Sequence, residues 1–100
     1  MHFGKKQVNI AVQVLPSSTT KDVYAIVDEA IKIIDQSGVK YVVTPFETVM
    51  EGEYDTLMGI VKRIQEACYL HNTDNMMCYV KIQSSANRKV TIEDKIAKYS

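Results

Sequence analysis

Val39–Glu53, VKYVVTPFETVMEGE, limits the possible folds more than any other stretch of this chain: two short strands joined at a Thr-Pro step, running without a spacer into a helix. Val39, Tyr41 and Val43 alternate with Lys40, Val42 and Thr44, the period-2 pattern of a strand. Pro45 removes a ladder donor and biases Thr44 towards extended geometry, so a turn or strand edge belongs there. Phe46, Thr48 and Met50 then alternate with Glu47, Val49 and Glu51. Hydroxyls and carboxylates fall here among large apolar side chains, which makes this the first place to look for a small polar ligand.

The flanking segments supply the rest of a sheet and its cover. Val8–Leu15 alternates Val8, Ile10, Val12 and Val14 with Asn9, Ala11, Gln13 and Leu15, an apolar face backed by a semi-polar one. Pro16 and the hydroxyl run Ser17–Thr20 are expected to end that strand. Lys21–Ser37 carries Val23, Ile26, Val27, Ala30, Ile31 and Ile34 at helical spacing, with Thr19 or Thr20 expected as N-cap and Gly38 as the left-handed stop. Tyr54–His71 reads as a second helix with a stripe of Leu57, Ile60, Val61, Ile64 and Cys68. Gly59 either marks the close approach of another backbone or simply costs that helix up to about 1 kcal/mol. Met76–Gln83 alternates as a last strand, Ser84–Lys89 is a polar loop, and Thr91-Ile92-Glu93-Asp94 resembles a capping box opening a short helix to about Tyr99. The order β-α-β-β-α-β predicts an α+β, ferredoxin-like domain over residues 1–100: a four-stranded antiparallel sheet, two helices on one face, and a short C-terminal helix. The face without helices would carry Ala11, Gln13, Leu15, Met77, Tyr79 and Val42, too apolar to stay wet, so self-association is expected there.

Composition removes several classes of function. Twelve basic residues balance twelve acidic ones in 100 residues, leaving no electrostatic footprint for nucleic acid or an anionic membrane. No apolar run approaches the roughly 18 residues of a membrane span, and MHFGKKQVNI lacks the apolar core of a signal peptide, so a cytoplasmic location is expected. Cys68 and Cys78 show no metal spacing, and only His2 and His71 are available beside them; reduced, buried thiols and no metal or cofactor are the expectation. His71, at a helix end and without a nearby acid or nucleophile in sequence, fits a favourable place on the helix dipole. Neither histidine has a partner for nucleophilic catalysis, and Arg63 and Arg88 come without a glycine-rich phosphate cradle. An enzyme is therefore not expected. The last strand, MMCYVKIQ, lacks the basic and glycine residues of an RNA-recognition motif, and PSSTT replaces the CxxC that a metallochaperone of this topology needs.

Three segments, VQVLPSSTT, SGVKYVVTPFETVMEGEYD and TIEDKI, together resemble the small, single-domain, YkoF-like thiamine-binding family over nearly the whole chain. The loop after Pro16 departs from that family in having serine where many members have glycine. The resemblance implies a ferredoxin-like subunit, dimers that pair into homotetramers, and binding of thiamine or its hydroxymethyl-pyrimidine moiety without catalysis. Hydroxyls and a carboxylate suit an aminopyrimidine, and a thiazolium cation suits carboxylates and aromatic faces. Thr44, Thr48 and Glu51 are the positions carried over. Thr48 and Glu51 point to opposite faces of a regular strand, so sharing a site requires a bulge or a strand that ends at Gly52. Leu15 and Pro16 would line the pocket mouth, and Tyr41 and Tyr79 would stack on the ligand. The alternatives stay open: Thr44 and Thr48 as plain strand formers, Glu51 as a helix N-terminal charge, and the domain as an interaction module whose sheet face docks a partner.

Overall fold

The computed structural model describes residues 2–96. Its elements are a short 3-10 turn (Phe3–Lys5), β1 (Gln7–Ser17), α1 (Val23–Ser37), β2 (Lys40–Val43), β3 (Thr48–Glu53), α2 (Tyr54–Leu70), β4 (Asn75–Gln83) and α3 (Ile92–Ile96). The sheet is antiparallel with order β2-β3-β1-β4, the predicted ferredoxin-like arrangement. Alternation sorts its side chains into two faces. Ile10 stands opposite Met50 and Ile82, and Met50 opposite Tyr41; Ile10, Met50 and Tyr41 of this row pack under the helices, while Ile82 at the β4 edge stays exposed. Ile26, Ala30 and Ile34 of α1 and Leu57, Ile60, Val61, Ile64 and Cys68 of α2 close the core over this face. Ala11, Gln13, Leu15, Val42, Val49, Met77 and Tyr79 form the other face.

Helix ends follow from local chemistry. The N-cap of α1 is Asp22, whose carboxylate accepts from Tyr24 N at 3.1 Å, and not Thr19 or Thr20. Thr19 is held away by Asp74, which accepts from its N–H at 2.8 Å. Gly38 takes the left-handed position (φ 81°) expected of it. α2 stops at Leu70 with His71 as its cap, and the Nε2 of His71 lies 3.5 Å from a Glu29 oxygen on α1. Thr91 Oγ1 accepts from Asp94 N at 3.1 Å, the expected capping contact of α3; the expected reach to Tyr99 falls outside the described residues. Both cysteines are free thiols, and burial pushes their pKa values up, with a further push on Cys68 from nearby Cys78.

Pro16 does not end β1; the strand runs on to Ser17. β1 pairs with β4 from Asn9 opposite Gln83 to Ser17 opposite Asn75, but with β3 only from Gln7 opposite Glu53 to Val12 opposite Thr48. Beyond Val12 it is an edge strand on its β3 side, and an edge is where a strand tolerates proline. Gly59 is exposed, and a Cβ built there meets nothing within 4 Å, so no backbone approach requires it. Gly59→Ala is expected to stabilise the fold by about 0.5–1 kcal/mol, read as a higher urea midpoint at unchanged slope.

Candidate functional site

Because β1 outruns β3, the sheet has a notch at one end, and a cavity of 270 Å³ fills it. Val12–Leu15 form its floor, residues 43–48 of the β2–β3 hairpin one wall, and Tyr24, Val27, Ala30, Ile31 and Ile34 of α1 the roof. The hairpin is shaped by Thr44. Its hydroxyl donates to Glu47 O at 2.6 Å and accepts from Glu47 N at 3.0 Å and Phe46 N at 3.3 Å, while its own N–H donates to Glu47 O at 2.9 Å. A threonine hydroxyl closing a turn around Pro45 leaves Phe46 at the tip.

The lining is apolar with a few polar groups, as small-molecule sites generally are. Thr48, 6% exposed, faces the cavity from β3. Among the described residues its hydroxyl has no hydrogen-bond partner. Glu47 sits at the boundary between the two sheet faces, its carboxylate 2.8 Å from Lys81 Nζ. Tyr24 and Phe46 lie on opposite banks of the cavity, each 79% exposed. Two large aromatic side chains left in water at one rim form an apolar feature that the fold itself does not use.

The structure gathers some of the predicted residues here and sends others elsewhere. Thr44, Thr48 and Leu15 line the cavity, Thr44 with its hydroxyl committed to the turn. Pro16 adjoins the floor without lining it. Glu51 is apart: β3 is regular from Thr48 to Glu53 with no bulge, so Glu51 points to the opposite face, where its carboxylate accepts from Ile92 N at 2.7 Å. It does serve a helix N-terminus, but that of α3 and not of α2. Gly52 lies at the far end of β3, where an added Cβ would stand 3.2 Å from Leu57 Cδ2. Tyr79 is on the helix-free face, beside Gln13 and Glu47 in a shallow hollow.

Tyr41 does not line the cavity. Its hydroxyl donates to Asp35 at 2.8 Å, and that hydrogen bond, more than burial or charge repulsion, raises its pKa above the ordinary 10.0. The protonated phenol is the form that the fold favours. Its contribution is complete below the unfolded pKa and is lost as pH rises through the higher folded value. Urea unfolding at pH 8 and pH 11 should therefore show a larger loss of stability for the natural protein than for Tyr41→Phe.

Four further residues line the cavity that the sequence does not single out as ligand contacts: Tyr24 and Gln13, and Phe46 and Glu47 of the hairpin already marked as the candidate region. A signal existed for Tyr24: an aromatic residue one position off an otherwise apolar helical stripe. Among the described residues no helix is long and apolar enough to cross a membrane, and no three His, Cys, Asp or Glu side chains gather as metal ligands would.

Known proteins similar to this chain bear on the site. The profile of a family described as thiamine-binding protein matches residues 10–100. A UPF0045 protein of Clostridium perfringens is 40% identical over 91 residues, 91% of this chain and 95% of that protein. The solved structure of a Bacillus cereus domain of unknown function superposes with a TM-score of 0.91 at 42% identity, over 95% of this chain and 91% of that one. A Thermotoga maritima protein, named for a proposed role in thiamine biosynthesis or salvage, superposes with a TM-score of 0.85 at 29% identity, over 94% and 99% of the two chains.

Proposed function

Because this chain belongs to the thiamine-binding protein family, we propose that it binds thiamine or its hydroxymethyl-pyrimidine moiety in the notch, as a cytoplasmic homo-oligomer and without transforming the ligand or using a cofactor. One observation supports the reading: a largely buried threonine whose hydroxyl, without a protein partner among the described residues, opens on an apolar cavity whose rim holds two exposed aromatic rings. A flat heterocycle places its faces against rings and apolar walls and its polar edge against the hydroxyl. Glu47 offers a carboxylate to the thiazolium of the whole vitamin, and the aromatic rim a second attraction for that cation. The name of the Thermotoga maritima relative supports the ligand class.

Calorimetric titration of thiamine and of 4-amino-5-hydroxymethyl-2-methylpyrimidine tests the proposal. Saturation at one ligand per subunit is expected, weakened about tenfold in Thr48→Val by loss of one hydrogen bond. Flat titrations of the folded natural protein with both compounds would overturn it.

Leu15, Met77 and Tyr79, each roughly half exposed on the helix-free face, favour self-association as well, dimers pairing into tetramers. The same face supports the second reading, an interaction module with no small ligand, which a stable oligomer with flat titrations would favour.

A further inference from the structure

In a β-strand the N–H and C=O of one residue point to the same side, and successive residues alternate between the two neighbours. Three hydrogen bonds set that alternation along β1. Lys6 O accepts from Tyr54 N at 2.9 Å, on the β3 side. Gln7 O accepts from Val90 N at 3.4 Å and Ser17 O from Asp74 N at 2.8 Å, both on the β4 side. Even-numbered residues therefore turn their peptide groups towards β3. Val12, opposite Thr48, is the last of them with a β3 partner. Next come Val14 and Pro16. Pro16 has no N–H to lose, which explains how β1 carries a proline within its length. Val14 has both groups, and among the described residues nothing in the protein bonds to either.

Ordinary edge strands leave such groups to water. Val14 is different because it is half-buried and lines the cavity, with the Thr48 hydroxyl and the aromatic rim around it. We propose that the Val14 peptide edge recognises the amino and ring-nitrogen edge of a 4-aminopyrimidine, the ligand standing where β3 would have supplied its next residue. The inference rests on the thiamine-type reading of the site and adds the groups that select the ligand. A 4-aminopyrimidine carries a donor, its amine, next to an acceptor, its ring nitrogen, both in the ring plane. Val14 offers the complementary acceptor and donor on one residue. A ring held this way lies in the plane of the sheet and turns one face to α1, where Tyr24 and Val27 line the cavity. Recognition by main chain also accounts for the thinness of the side-chain signal in sequence, since a peptide edge has no residue type.

Amide NMR on the full chain tests it, with 4-amino-5-hydroxymethyl-2-methylpyrimidine as the probe. The Val14 amide resonance is expected to shift, and its hydrogen exchange to slow by about tenfold or more on saturation. The amides of Gln13 and Leu15, directed to β4, should keep their exchange rates. The analogue with hydrogen in place of the 4-amino group should bind about tenfold or more weakly, because the bound ring covers the Val14 carbonyl without pairing it. Binding by the probe with unchanged Val14 exchange, or equal affinity for the analogue, would overturn the peptide-edge recognition while leaving the site reading intact. A probe that perturbs no resonance at all would overturn both.

Discussion

Replacing both rim rings, Tyr24→Ala together with Phe46→Ala, is expected to weaken pyrimidine binding about a hundredfold and leave the urea midpoint nearly unchanged. Stacking a flat heterocycle on an aromatic side chain contributes about 1–3 kcal/mol per ring, and roughly 2.8 kcal/mol corresponds to a hundredfold in affinity. Neither ring has much to contribute to the fold, since both are 79% exposed and exposed substitutions of this kind usually stay within about 0.5 kcal/mol. Calorimetry and urea melts on the same preparations separate the two quantities. Binding and stability falling together would make the rings structural; unchanged affinity would remove them from the site.

A pair of identical substitutions on α1 probes the cavity from above. Ile26 is fully buried in the core, whereas Ile31 is only partly buried and lines the notch. Ile26→Ala should cost about 3–4 kcal/mol, a transfer loss plus a new void, and so a large fraction of the roughly 5–15 kcal/mol that holds a domain of this size together. Ile31→Ala should cost about 1–1.5 kcal/mol, because one side of that side chain already lacks packing partners and less burial is lost. Urea denaturation of both variants reads the difference directly. Equal costs would mean that the notch is packed shut in solution and that no ligand cavity lies beneath α1.

The order of elements, both apolar helical stripes and the face assignment of every strand were legible in sequence, because periods of 2 and 3.6 are local properties. The persistence of β1 past Pro16 was not. It depends on β3 starting no earlier than Thr48, a fact about another strand that decides whether a proline at 16 loses a needed donor. Glu51 shows the same limit. Its alternation correctly opposed it to Thr48, yet its partner, Ile92 N, lies 41 residues away. Val27 and Ile31 read as core with the rest of their stripe, and only the missing length of β3 beneath them turns them into cavity lining. Thr44 lines the cavity, but its hydroxyl belongs to the turn, a commitment that depends on the fold of residues 44–47 and not on strand alternation. Tyr24 and Phe46 meet across a gap that no single segment encodes.

The mismatch between the 11 residues of β1 and the six of β3 also makes the cavity depend on one length parameter. Two more residues of extended chain before Thr48, in register, would bring a partner to Val14 and seal the sheet, with every helix, cap and core contact left in place. Two fewer would open a second pair of peptide groups at Val12 and enlarge the vacancy. Gain, loss or resizing of this pocket is therefore available through short insertions and deletions at the hairpin tip, the part of the chain where the backbone tolerates them best, and sheets of the same topology need not share it.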